Sequence, residues 1–125
     1  MLFDTDVIIW VFRGSLKAVR EIETAESREI SVVTYLELIQ GARDQRELRA
    51  IKAFLADTAF IVLPLTENIG HRASIYMEEY GLRGGMTMAD ALLAATAVEN
   101  QSTLCTGNRK HYRLVKELDL RVFTA

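Results

Sequence analysis

The sequence predicts an α/β domain built on a mainly parallel sheet, and three observations lead there. Short apolar runs alternate with longer segments of helical period from one end to the other, the order that parallel βαβ units require. The 125 residues suit a single domain, 1–125, around one core. No repeat, low-complexity tract or Pro/Gly-rich linker divides the chain, and Pro64 is its one proline.

The elements follow in order. "MLF" reads as a strand and "DVIIWVF" as a short helix, which Asp6 is placed to cap. "SLKAVREIETAES" is an amphipathic helix with Leu16, Val19 and Ile22 on one face. "REIS" is a brief strand. In the helix "VVTYLELIQGA", closed near Gly41, Ser31 is the expected cap, because Val32, Val33, Leu36 and Ile39 already have helical spacing from residue 32. "QRELRAIKAFLAD" turns Leu48, Ile51 and Leu55 inward and Arg46, Arg49 and Lys52 outward to solvent. "AFIVLPL" is the clearest strand, and "TENIGHRASIYMEEYGLRG" a helix running to a Gly-rich turn, with His71 as a partly exposed position. "MTMADALLAATAVEN" is a helix packed on most sides. "STLCT" is a strand, "RKHYRLVKELD" a short helix and "LRVFTA" the closing strand.

Composition is that of an ordinary globular protein, with 50% hydrophobic and 26% charged residues. Cys105 is alone, so it forms no internal disulfide, and a reducing cytoplasm is expected. The apolar runs "VIIWVF" and "ALLAATAV" are too short to span a bilayer, and Asp4 and Asp6 stand where a signal peptide would be basic. The net charge of -2 neither suggests nor excludes a nucleic-acid partner, since a metal ion can neutralise acids locally.

Sheets of this kind bind ligands beyond the carboxyl ends of their strands, so acids just after a strand or at the head of a helix draw interest. Asp4 follows the first strand. Asp90 lies three residues after Thr87, the spacing of a capping box, where an anion also meets the positive end of the helix dipole. Glu37 would complete a second capping box if Thr34 were the cap. With Ser31 as the cap it lies in the second turn beside the apolar stripe, with no local role. Three carboxylates at short range repel one another by several kcal/mol unless a cation sits among them. Oxygen donors without paired His or Cys suit Mg²⁺ or Mn²⁺ rather than zinc.

"LFDTDVIIW", "SVVTYLELIQGA", "MTMADALLAATA" and "LCTGNRKHYRLV" together resemble the motifs of PIN domains, in the same order and at the usual spacing. The resemblance covers nearly the whole chain and is nearest to the VapC-type toxins of toxin–antitoxin pairs. It implies an α/β/α sandwich with an acidic crevice for Mg²⁺ or Mn²⁺. It also implies a divalent-metal-dependent endoribonuclease, a homodimer that can join a toxin–antitoxin hetero-oligomer, held inactive by a small antitoxin whose segment fills the groove. Asp4, Glu37 and Asp90 match the family's catalytic and metal-binding acids, Asp6 a supporting residue, and Thr106 and Asn108 the polar pair after the fourth strand.

One position departs from the pattern. Where the family commonly carries a fourth acid this chain has His111, which bears on whether one metal or two would bind. A neutral imidazole is a poorer Mg²⁺ partner than a carboxylate. His111 is therefore open to three readings: contact with substrate phosphate, a proton relay, or a surface histidine. Arg13, Arg83, Arg109, Lys110 and Arg113 are either phosphate contacts or ordinary surface charges. A structured RNA loop is the expected substrate.

Two other functions compete with this one. "LFDTD" also resembles the first motif of haloacid-dehalogenase-like phosphatases, but the later aspartate pair that reading needs is missing. A weakened PIN domain serving as an RNA-binding or scaffold module is the non-enzymatic alternative. The RNA target and the antitoxin are not written in the sequence.

Overall fold

A computed structural model describes residues 1–125. In chain order the elements are β1 (Leu2–Phe3), α1 (Thr5–Phe12), α2 (Leu16–Glu23), β2 (Glu29–Ser31), α3 (Val32–Gly41), α4 (Gln45–Asp57), β3 (Ile61–Leu63), α5 (Glu67–Gly84), α6 (Met88–Glu99), β4 (Leu104–Thr106), α7 (Arg109–Tyr112) and β5 (Leu120–Val122). The five strands lie in the order β3-β2-β1-β4-β5, and every pairing is parallel. The chain winds outward from β1 through β2 to β3, then returns to the other side of β1 for β4 and β5. The strand order therefore reverses between β1 and β4, the place where such sheets form a crevice at their carboxyl ends.

Alternation along the strands divides the core into two layers. Leu2 and its register partner Leu104 join a cluster with Ile69, Tyr76, Leu93 and Tyr112 from the α5, α6 and α7 side. Phe3 and its partner Cys105 face Val7, Ile8, Ile22, Leu38 and Ile51 from α1 to α4. Leu2, Phe3, Leu104 and Cys105 are all fully buried, and each large apolar side chain so placed stabilises the fold by about 1.5–3 kcal/mol. Helices on both faces of one sheet make the α/β/α sandwich.

Local signals place the helices that carry the acids. Ser31 caps α3 by accepting from the Val33 N–H at 3.0 Å. Gly85 ends α5 with φ 66°, a left-handed conformation that favours glycine, and turns the chain into α6. Thr87 then caps α6 in a complete capping box with Asp90. Behind that first turn, Ala91, Ala94, Ala95 and Ala97 are fully buried, so α6 packs on most sides as its sequence indicates.

Several expectations are corrected. Asp4, not Asp6, is the N-cap of α1, because the helix starts at Thr5, directly after the strand. Leu16 is 70% exposed at the tip of α2, whose buried residues are Ala18 and Ile22. In α3 the buried positions are Thr34 and Leu38, while Leu36 is exposed beside Glu37. The segment after β4 forms only one helical turn, Arg109–Tyr112. β3 is an edge strand with Ile61 and Val62 largely exposed. No helix is long and apolar enough to cross a membrane.

Candidate active site

Asp4 stands at the carboxyl end of the central strand and is almost wholly buried. Its Oδ1 accepts the Thr5 N–H at 2.7 Å. Its Oδ2 accepts two hydroxyls, Thr106 at 2.8 Å from the end of β4 and Tyr112 at 3.1 Å from α7. Burial and then the neighbouring charge of Asp6 push its carboxyl up from 3.8 to about 6, against the pull of those three donors.

Asp6 faces the same crevice from the first turn of α1. Its Oδ2 accepts the Gly107 N–H at 2.9 Å and lies 3.5 Å from Asn108 Nδ2. The approach depends on glycine, since a Cβ at position 107 would lie 2.8 Å from that oxygen. Burial raises the Asp6 carboxyl, opposed first by the Gly107 N–H and lastly by the charge of His111. Its Oδ1 is buried with no hydrogen-bond partner. Thr106 is fully buried, and its hydroxyl accepts the Asn108 N–H at 3.0 Å while donating to Asp4. That group therefore positions Asp4 and Asn108 rather than facing outward.

Asp90 enters from the head of α6. Its Oδ2 accepts the Thr87 N–H at 3.1 Å and lies 3.3 Å from His111 Nδ1. Tyr112, which donates to Asp4, also feels the charge of Asp90. Its hydroxyl is driven far above the ordinary phenol range by burial, and then by the charges of Asp4 and Asp90. It remains a neutral donor among acids at any physiological pH.

Glu37 is held farther out. Thr5 Oγ1 is 2.7 Å from Glu37 Oε1 and 2.9 Å from the hydroxyl of buried Thr34. A carboxylate only accepts, so the Thr5 hydrogen goes to Glu37 and Thr34 supplies its own to Thr5. Thr5 immediately follows Asp4, so this bridge ties α3 to the end of β1. Glu37 also stands on the rim of a groove of about 690 Å³ between α1, α3 and α4. Ile9, Phe12, Leu38 and Ile51 line its apolar part, with Arg13, Arg43 and Glu47 among its polar residues.

The acids thus come together as linked groups: Asp4 beside Asp6, Asp90 beside His111, and Glu37 through Thr5. No three His, Cys, Asp or Glu side chains are gathered closely enough to enclose a metal ion as placed. As a donor set they nonetheless fit a hard divalent cation. They offer carboxylate oxygens, one of which is the unpartnered Asp6 Oδ1, and a cation would offset the burial and the Asp6 charge that together raise Asp4.

Arg109 and Lys110 are exposed on the α7 turn beside His111, and Arg83 and Arg113 are exposed at the ends of α5 and α7. Arg13 packs over the Trp10 ring, 5.4 Å from its centre. His71 is exposed on α5. Sequence reasoning overlooked Tyr112 and Thr5 and weighed Thr34 only as a cap, because a buried aromatic and two threonines near helix starts carry no local mark of such contacts.

The architecture, with acids gathered at the β1/β4 reversal, defines a parallel α/β class, and comparison identifies the family. Residues 1–117 match the family model described as PIN domain, and the chain belongs to that family. That membership leaves the dehalogenase-like reading without support. The chain is 27% identical over 124 residues to Ribonuclease VapC1 of Methanocaldococcus jannaschii, covering 98% of this chain and 86% of that protein. It resembles a chain of a toxin–antitoxin complex from Klebsiella pneumoniae at 26% identity and a TM-score of 0.79, over 94% of this chain and 93% of that one. A chain of VapBC2 from Rickettsia felis, bound to a promoter DNA fragment, matches in fold with a TM-score of 0.84 at 16% identity, over 98% of both chains.

Proposed function

We propose that residues 1–125 form one cytoplasmic nuclease domain, a divalent-metal-dependent endoribonuclease that is the toxin of a type II toxin–antitoxin pair. The observation that carries this reading is the gathering of acids at one sheet edge, where Thr106 and Tyr112 hold Asp4, Gly107 holds Asp6, and the charge of Asp90 reaches Tyr112. The similarity to a protein named a ribonuclease supports the substrate, and the similarity to a chain of a toxin–antitoxin complex supports the partner.

A bound Mg²⁺ or Mn²⁺ supplies activation of water and charge relief at the phosphate. Asp4 and Asp90 would hold it, with Asp6 in support. Glu37, exposed yet oriented by Thr5, takes the proton of the attacking water as general base. Thr106 keeps Asp4 in place, Asn108 and Gly107 hold Asp6, and exposed Arg109 meets a flanking phosphate with salt-dependent affinity. The antitoxin segment occupies the groove rimmed by Glu37, and a homodimer is the working assembly.

Incubating the purified protein with total cellular RNA, in Mg²⁺, in Mn²⁺ and in chelator, tests the reading. Cleavage in either metal that stops in chelator, and is absent in Asp90→Asn, supports it. RNA retained without products in any metal would instead mark a binding module.

A further inference from the structure

His111 sits on the single turn α7, and the residue after it anchors that turn. Tyr112 is fully buried, with its hydroxyl on Asp4. The imidazole is thereby held toward the acids, with Nδ1 3.3 Å from Asp90 Oδ2. One ring nitrogen therefore faces the acid contributed by α6. Asp6, on a different helix of the same crevice, has a buried and unpartnered Oδ1.

The separation itself is informative. Two donors in adjacent positions around a near-octahedral ion, each about 2.1 Å from it, stand about 3 Å apart. The Nδ1 to Oδ2 distance of 3.3 Å has that bite. The imidazole is 42% exposed and the Asp90 side chain 13%, so the pair opens toward solvent, from which an ion would arrive.

We propose that His111 is a nitrogen ligand of the same divalent ion that Asp90 holds, giving a mixed nitrogen and oxygen centre that ranks first-row transition dications above Mg²⁺. The inference rests on the metal-dependent reading above. Mg²⁺ demands oxygen donors and sheds water reluctantly, whereas imidazole is an ordinary ligand for transition ions. The histidine does not merely replace a carboxylate that is missing. It changes which ion the centre selects.

The test uses Mn²⁺ as the probe and needs no RNA. Pulsed electron paramagnetic resonance of the Mn²⁺-loaded protein should show modulation from a directly bound histidine nitrogen, altered when ¹⁵N-histidine is incorporated. The signal should be lost in His111→Ala and in His111→Asp and kept in His71→Ala. Competition between Mn²⁺ and Mg²⁺ should show the preference for Mn²⁺ falling about tenfold or more in His111→Ala, the scale on which a disturbed ligand shell is felt. Far-ultraviolet circular dichroism confirms that each variant is folded. Mn²⁺ binding without the nitrogen signal, or with a signal that survives in both His111 variants, overturns the ligand while leaving the metal-dependent reading intact. No Mn²⁺ binding up to tens of millimolar overturns both.

Discussion

Tyr112 donates its hydroxyl to Asp4 Oδ2 at 3.1 Å across 108 positions of sequence, joining the last helical turn to the end of the first strand. Tyr112→Phe keeps the ring in the core and deletes only this donor. Loss of a hydrogen bond to a charged group should cost about 1.5–3 kcal/mol, read from denaturant melts at neutral pH. A variant as stable as the parent would show that the contact contributes nothing to the fold.

Asp4 also makes stability depend on pH in an unusual direction for a carboxylate. Its folded pKa is raised to about 6 from 3.8, so between those values the native state holds a proton that the unfolded chain has lost. Its contribution to stability therefore falls as pH rises through that window and stays low above it, by roughly 3 kcal/mol at most. Melts of the metal-free protein from pH 4 to 7 should show a decline that flattens in Asp4→Asn. Parallel curves for the two proteins would remove Asp4 as the cause.

A cation that binds only the folded acids should stabilise them by mass action. Melting temperature in chelator should lie below that in millimolar Mn²⁺, and Asp4→Ala should abolish the difference. An equal shift in Asp4→Ala would place the bound ion elsewhere.

The head of α6 combines two roles that mutation can separate. Thr87→Ala removes the hydroxyl that accepts the Asp90 N–H at 3.2 Å and should cost about 0.5–2 kcal/mol while leaving most RNA cleavage. Asp90→Asn should remain folded and lose cleavage. The reverse pattern, with activity lost in Thr87→Ala and kept in Asp90→Asn, would assign Asp90 to the cap alone.

How much of this could be read from the sequence depended on range. The Ser31 cap and the Thr87–Asp90 capping box were legible because both partners lie within a few residues of each other. The strand and helix order was legible from periodicity. The exposure of Leu16 and Leu36 was not, because periodicity identifies a helical face but only tertiary neighbours decide whether it is covered. Asp6 was misjudged as a cap because the helix begins two residues nearer the strand than its apolar pattern suggests. Around the acids, the pairing of Asp6 with Gly107 and of Asp4 with Tyr112 spans 101 and 108 positions, and no local pattern encodes such contacts.

The sheet order β3-β2-β1-β4-β5 also bears on the birth of the protein. Synthesis delivers the central strand first, yet its neighbour β4 only after about four-fifths of the chain has been made. A ribosome extending toward residue 100 thus carries Asp4, Asp6, Glu37 and Asp90 on a chain that lacks Thr106, Gly107 and Tyr112 to organise them. Contacts of such long sequence separation form late. The site would then be assembled only near the close of translation, and chains ending before residue 104 would lack the contacts that organise its acids.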